Sequence, residues 1–161
     1  MWMFYAVLMA TLLEVALVTG QDRYDAYVKD YFGSRVGFRI PYKRKDRTVV
    51  HHYIVPDKNT TWDQARQTCT QKPGFKLATF EDYVELRHLS SEYHRLYCTE
   101  CNGLYWVGDR YYNVITDKEV CNTIFLWRSE LVGVSCDYEP KPKSRSPLDV
   151  KGYVCTTMMK P

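Results

Sequence analysis

The chain has 161 residues, a formal net charge of +3 at pH 7, and 45% hydrophobic and 25% charged residues. This length fits one domain of about 100–200 residues, and the composition excludes a disordered or collagen-like chain. Four Trp, fourteen Tyr and six Phe exceed what a core of this size needs. An aromatic-rich sheet or an aromatic binding surface accounts for the excess.

Residues 1–20 predict a secretory signal peptide. They contain no Lys or Arg, and their apolar run holds Glu14 and ends at Thr19 and Gly20. The run is shorter than the roughly 20 apolar residues of a membrane span, and polar residues follow at once. An uncleaved anchor is the alternative. We expect a secreted, extracellular protein with no membrane span after cleavage.

Residues 21–48 predict a basic N-terminal arm. The segment contains no cysteine, shows little periodicity and is rich in basic residues, namely Arg35, Arg39, Lys43, Arg44, Lys45 and Arg47. Such a run is typical of a solvated face, and a patch for an anionic ligand is the alternative.

Residues 49–55 are rich in β-branched and aromatic side chains and predict a first strand. Two helices are predicted after it. Thr61 and Gln64 form a capping-box pattern, which predicts the start of the first helix. Pro73 and Gly74 predict its end. A second cap within residues 79–82 opens a helix that runs to about residue 93. Its predicted apolar surface consists of Phe80, Tyr83, Val84, Leu86 and Leu89.

Short aromatic and β-branched runs follow at residues 104–107, 123–127 and 153–155, and they predict strands. The order of strand, two helices and several strands indicates an α+β class, with two helices packed on antiparallel sheets. The first and last strands of the domain are expected to pair. We find no internal repeat.

Six cysteines follow the predicted signal peptide: Cys69, Cys98, Cys101, Cys121, Cys136 and Cys155. An even number in an exported chain predicts three disulfides, and six cysteines allow fifteen pairings. The CxxC spacing of Cys98 and Cys101 lacks the second pair of a zinc site. Asn59 begins an Asn-Thr-Thr sequon and is a predicted glycosylation site.

Four separated motifs, together spanning about residues 49–155, give the chain a resemblance to the C-type lectin-like domain family. They are Thr61-Trp62-Asp63-Gln64-Ala65-Arg66 with Cys69; Gly74-Phe75-Lys76-Leu77-Ala78-Thr79 with Glu81 and Leu86; Trp106-Val107-Gly108; and Tyr153-Val154-Cys155. The resemblance implies a disulfide-stabilised α+β fold over residues 49–155, with 156–161 as a C-terminal tail. It also implies a bond between Cys69 and Cys155.

The other four cysteines have three possible pairings. The pair Cys121 with Cys136 is favoured, because one of two possible alignments with the family pattern makes it the family's second disulfide. Cys98 and Cys101 lie outside the family's minimal set. The resemblance alone supplies these assignments.

The calcium site of the family resembles a cage of carboxylate and amide oxygens that also holds sugar hydroxyls. The best counterpart of this site in the chain is Glu139-Pro140-Lys141. The ammonium group of Lys141 can only donate hydrogen bonds, so it cannot be a calcium ligand, and its charge repels a cation. Asp149 is the last acid before the final strand. Under the alternative alignment, residues 131–135 precede Cys136 and carry no calcium ligand. Glu139 and Asp149 are the only candidate metal ligands, and we expect no cofactor and no calcium at the usual sugar site.

The resemblance implies a recognition module that binds carbohydrate or glycoprotein, with weak or no calcium dependence. The candidate ligand-binding residues are Glu139, Lys141, Lys143, Arg145 and Asp149, and the basic ones among them suit an anionic glycan. The alternative is a calcium-independent protein-interaction module without sugar binding. We expect neither an enzyme nor a nucleic-acid partner, since the four histidines show no catalytic or metal spacing. The sequence does not indicate an oligomeric state.

Overall fold

The computed structural model describes residues 28–32, 35–97 and 103–159, with side chains for residues 38–95 and 103–158. The predicted signal peptide, Cys98 and Cys101 lie outside the described residues. Two helices pack on a large sheet, and the bounds of the elements in chain order are β1 (Val28–Phe32), β2 (Arg35–Lys43), β3 (Val49–Pro56), α1 (Trp62–Thr70), β4 (Phe75–Leu77), α2 (Tyr83–Tyr97), β5 (Leu104–Asn113), β6 (Lys118–Phe125), β7 (Glu130–Ser135) and β8 (Val150–Met159).

The strands of the described sheet lie in the order β1-β2-β3-β8-β5-β6-β7, and β4 also pairs with β8. The predicted pairing of the first and last strands is confirmed, since β3 and β8 are antiparallel from Val49 opposite Met159 to Pro56 opposite Gly152. The predicted α+β class with two helices is confirmed as well. The expectation of a purely antiparallel sheet needs one correction, because β5 runs parallel to β8.

Residues 35–43, predicted to belong to a basic arm, form strand β2 of the sheet. β2 pairs with β3 over residues 38–43, with Phe38 opposite Ile54 and Lys43 opposite Val49. Ile40 is fully buried in this strand. The predicted division at residue 48 is therefore not a structural boundary. Likewise β8 extends to Met159, so most of the predicted tail is paired strand.

Helix α1 begins where its capping box predicts. The Thr61 side chain accepts a hydrogen bond from the Gln64 backbone N–H, and the Gln64 side chain accepts one from the Thr61 N–H. Trp62, Ala65 and Cys69 form the buried face, as their i, i+3, i+7 spacing predicts. The Trp62 indole N–H donates to the Val107 carbonyl at 2.9 Å, which ties the start of α1 to β5.

Helix α2 begins at Tyr83, where the Asp82 carboxylate accepts from the Glu85 backbone N–H at 2.9 Å. Of the predicted apolar surface, Leu86 and Leu89 are buried, whereas Tyr83 and Val84 are 62% and 60% exposed. Both lie in the first turn, outside the stripe that faces the sheet.

A buried carboxylate joins α2 to three other segments. Glu85 is fully buried and accepts two hydrogen bonds from Arg44, each 2.9 Å long. His52 Nε2 lies 2.8 Å from Glu85 Oε1, and His52 Nδ1 lies 2.5 Å from the Thr156 hydroxyl. The Glu81 backbone N–H also donates to Glu85 at 3.0 Å. A neutral His52 with its proton on Nε2 donates to the carboxylate and accepts from Thr156.

The pKa values of this cluster follow from burial and hydrogen bonding. Burial opposes ionisation of Glu85, but the hydrogen bonds from His52 and Arg44 outweigh it and lower its pKa to about 2. Burial lowers the pKa of His52. At neutral pH the cluster therefore holds an ionised Glu85, a charged Arg44 and a neutral His52.

Replacing Glu85 by Gln should destabilise the domain by about 3–5 kcal/mol, because Arg44 is then left without its charged partner inside the protein. Glu81 offers the matched control, since its carboxylate lies 3.4 Å from Arg44 but its side chain is 53% exposed. Glu81→Gln should cost less than about 1 kcal/mol. Guanidinium unfolding with the disulfides intact measures both, and equal losses would contradict a dominant buried pair.

The free energy of unfolding should also decrease at acidic pH, because Glu85 becomes protonated. Its pKa is about 2 in the folded protein against 4.5 as the ordinary value, so the unfolded chain binds more protons in between. The unfolding free energy should lose about 3 kcal/mol as the pH decreases from about 4.5 to about 2. Denaturant unfolding at a series of pH values checks this, and the same decline in Glu85→Gln would assign it to other groups.

Candidate functional site

Two disulfides frame the region where the ligand-binding residues were predicted. Cys69 in α1 bonds to Cys155 in β8, with their Cα atoms 5.5 Å apart, as the resemblance implies. Cys121 in β6 bonds to Cys136 just after β7, with Cα atoms 4.9 Å apart, which confirms the favoured pairing. The first bond spans a sequence separation of 86 residues, for which the chain-entropy model gives about 3–5 kcal/mol.

The Cys121–Cys136 bond agrees with the alignment that makes this pair the family's second disulfide. β5 and β6 are joined by a tip of only four residues, 114–117. The strand before Cys136, Glu130–Ser135, has Glu130 as its only carboxylate. Residues 114–135 thus form two short hairpins and leave no long loop that could supply a calcium cage, and Glu139 follows the second disulfide.

Asp149 is buried, and groups of the protein itself contact its carboxylate. It is 2% exposed and accepts hydrogen bonds from the Tyr138 hydroxyl and the Val150 backbone N–H. Its Oδ2 lies 3.9 Å from the Lys151 ammonium, which donates to the Ser144 carbonyl at 2.8 Å. These contacts anchor both ends of the segment 138–151.

The pKa values reflect this use of Asp149. Burial opposes its ionisation, but hydrogen bonds from Tyr138 and Ser144 outweigh it and lower the pKa of Asp149. Burial and the bond to Asp149 raise the pKa of Tyr138 to about 12. Asp149 is therefore an ionised structural anchor.

The other predicted ligand-binding residues lie on the surface. Lys141, Lys143 and Arg145 are exposed on one turn, which we call the basic turn (residues 141–145), and Glu139 is exposed just before it. The three cations thus share one exposed segment, whereas the Asp149 carboxylate is buried and does not lie on this surface. Among the described residues, no group of three or more His, Cys, Asp or Glu side chains could hold a metal ion.

A groove that the sequence did not predict lies between the start of α2 and the β6–β7 turn. Its volume is about 430 Å³, and it is lined by Phe80, Asp82, Tyr83, Leu86, Ser129, Glu130 and Leu131. We call it the α2 groove. Tyr83 was predicted to lie on the apolar surface of this helix, and a helical apolar pattern does not distinguish a buried stripe from the wall of an exposed groove.

Asn59 is exposed in the turn after β3, and its glycosylation stays a prediction. No helix in the ranges that the structure describes is long and apolar enough to cross a membrane.

These features together decide the fold. Two helices, a domain closed by its first and last strands, and a disulfide from α1 to β8 are what the resemblance implies. The fold is C-type lectin-like. No protein-family model matches the chain, and no curated protein sequence matches it. Among solved structures, the chain is similar to the crystal structure of botrocetin, a snake venom C-type lectin-like protein, with 15% identity and a TM-score of 0.46 over 68% of this chain and 91% of that chain.

Replacing Asp149 by Asn should loosen the basic turn, because the amide carries no charge for Lys151 and adds donors that this buried position does not match. We expect trypsin cleavage after Lys143 and Arg145 to become at least several-fold faster. Glu139→Gln is the control, since Glu139 is exposed. Mass spectrometry of limited digests provides the measurement, and unchanged cleavage in Asp149→Asn would mean that other contacts hold the turn.

Proposed function

We propose that the protein is an extracellular, non-catalytic recognition module that binds an anionic carbohydrate or glycoprotein without calcium, through the basic turn. The observation that carries this proposal is the position of Asp149. This acid, one of the two candidate metal ligands, is buried against Tyr138 and Lys151. Calcium needs about six to eight oxygen ligands, and between Cys136 and Asp149 the chain offers only Asp137 and Glu139 as exposed carboxylates.

The basic turn suits an anionic ligand because it combines exposed charge with a fixed backbone. Residues 141–148 contain three cations and no acid. Pro142 and Pro147 restrict the backbone, and the Ser144 carbonyl is held by Lys151. Ammonium and guanidinium groups form strong charge-assisted hydrogen bonds with sulfate or carboxylate oxygens.

The chemistry of the remaining polar groups supports a non-catalytic role. His52 is buried in the Glu85 cluster, and four of the cysteines are bonded. His88 and His94 contact the carbonyls of Pro41 and Leu126. The two disulfides also support an oxidising, extracellular location.

A calcium-independent protein-interaction module is the second candidate, and exposed aromatic residues favour it. Trp127 is 58% exposed, and Tyr83 is exposed at the α2 groove. Large aromatic side chains supply most hot spots of protein interfaces.

Replacing Lys141, Lys143 and Arg145 together by Gln should weaken binding to heparin at least about tenfold, which corresponds to about 1.4 kcal/mol. The matched control replaces Lys58, Lys76 and Arg87, which are also exposed, and removes the same charge. Heparin affinity is measured by surface plasmon resonance at several salt concentrations, with and without EDTA.

Binding by the unmodified protein should weaken with salt and be unaffected by EDTA. Equal losses in the two triple variants would contradict a site at the basic turn, and a loss in EDTA would contradict calcium independence. A glycan array without any signal, together with capture of one defined protein, would favour the second candidate.

A further inference from the structure

Strand β7 is an edge strand without the usual protection against pairing. It pairs with β6 from Val120 opposite Ser135 to Phe125 opposite Glu130, with no shift in register. No other strand of the described sheet pairs with it. Natural edges are commonly blunted by charged side chains, Pro or a bulge. The sequence ELVGVS has neither Pro nor a bulge, and its one charged residue, Glu130, is the first of the strand.

The hydrogen bonds around β7 show which backbone groups face outward. The Cys136 N–H donates to Glu119 in β6 at 3.2 Å, and the Val132 carbonyl accepts from the Thr123 hydroxyl of β6 at 2.8 Å. Even-numbered residues therefore direct their backbone groups to β6. Because these groups alternate along a strand, the N–H and C=O of Leu131 and Gly133 face away from the sheet.

We propose that β7 pairs antiparallel with β7 of a second copy of this chain, around a two-fold axis at Val132. Leu131 of each copy then lies opposite Gly133 of the other. The outward groups of these residues form four N–H···O bonds, and the two sheets become one continuous sheet. Such an interface is isologous and closes as a dimer.

The side chains of β7 complement themselves in this register. Leu131 is 51% exposed and would lie opposite a residue without a side chain. A Cβ at Gly133 would lie 2.8 Å from the Tyr111 hydroxyl, so Leu131 of the second copy would contact Tyr111, which is also 51% exposed. The two Val132 side chains form a β-branched cross-strand pair.

Charge does not oppose the pairing. Glu130 is the only charged residue of β7 and would lie opposite Val134 of the second copy. The two Glu130 residues would be separated by about four residues along the strands, or roughly 13 Å, which exceeds the Debye length of about 8 Å at physiological salt. The second copy would also border the α2 groove, of which Leu131 forms one wall.

The test is the molar mass of the secreted, disulfide-bonded full chain by sedimentation equilibrium over a range of about 1 to 500 μM. The unmodified protein should shift from the mass of one copy to that of two. Leu131→Pro should stay at one copy across the range, because proline removes an outward N–H and leaves the bonds to β6. Ile115→Lys is the matched control, since Ile115 is 92% exposed at the β5–β6 tip, and it should associate like the unmodified protein.

Leu131→Lys is the second variant, to be used if Leu131→Pro lowers the thermal midpoint by more than a few degrees. It should also abolish association. A monomer throughout the range would overturn the proposal, as would a dimer that persists in both Leu131 variants. A dimer linked by a disulfide in non-reducing gels and insensitive to Leu131 would also overturn it.

Discussion

A buried, ionised carboxylate sets the arrangement of the four segments that surround it. Glu85 from α2 is matched by Arg44 from the turn after β2 and by His52 from β3, and His52 in turn contacts Thr156 in β8. A buried charge is costly unless its partners are in place. The cluster therefore favours one orientation of α2 over the sheet. That orientation also determines where Tyr83 and the α2 groove face.

The opposite part of the sheet is organised by a second buried carboxylate and by the disulfides. Asp149 holds the long connection between β7 and β8 through Tyr138 and Lys151, much as Glu85 holds α2. The Cys69–Cys155 bond fixes α1 on β8, and the Cys121–Cys136 bond fixes the start of this connection on β6. With both of its ends fixed, the basic turn is an exposed but anchored feature.

Local signals in the sequence were sufficient for some of these elements and insufficient for others. The capping box and the Trp62, Ala65, Cys69 spacing predicted α1, because both depend on neighbouring residues. The basic residues Arg39 and Lys43 concealed the spacing of Phe38, Ile40 and Tyr42 at every second position of β2. Glu85 continues the buried stripe of Leu89 and Tyr93 at i, i+4, i+8, which was a usable signal. Its partner Arg44, however, is 41 residues away, and no local pattern predicts that contact.

Exposed cations on a single turn bind an anionic ligand weakly, because each contact competes with water and is screened by salt. A dimer paired along β7 would carry two basic turns in one rigid sheet. Once the first turn engages a long polyanionic chain, the second binds at a high effective concentration, provided that the ligand spans both sites. The edge strand and the basic turn, which are separate features of one copy, would then act together on a repetitive ligand. This coupling would give the exposed edge of β7 a functional role, whereas an edge that only promoted aggregation would be a liability.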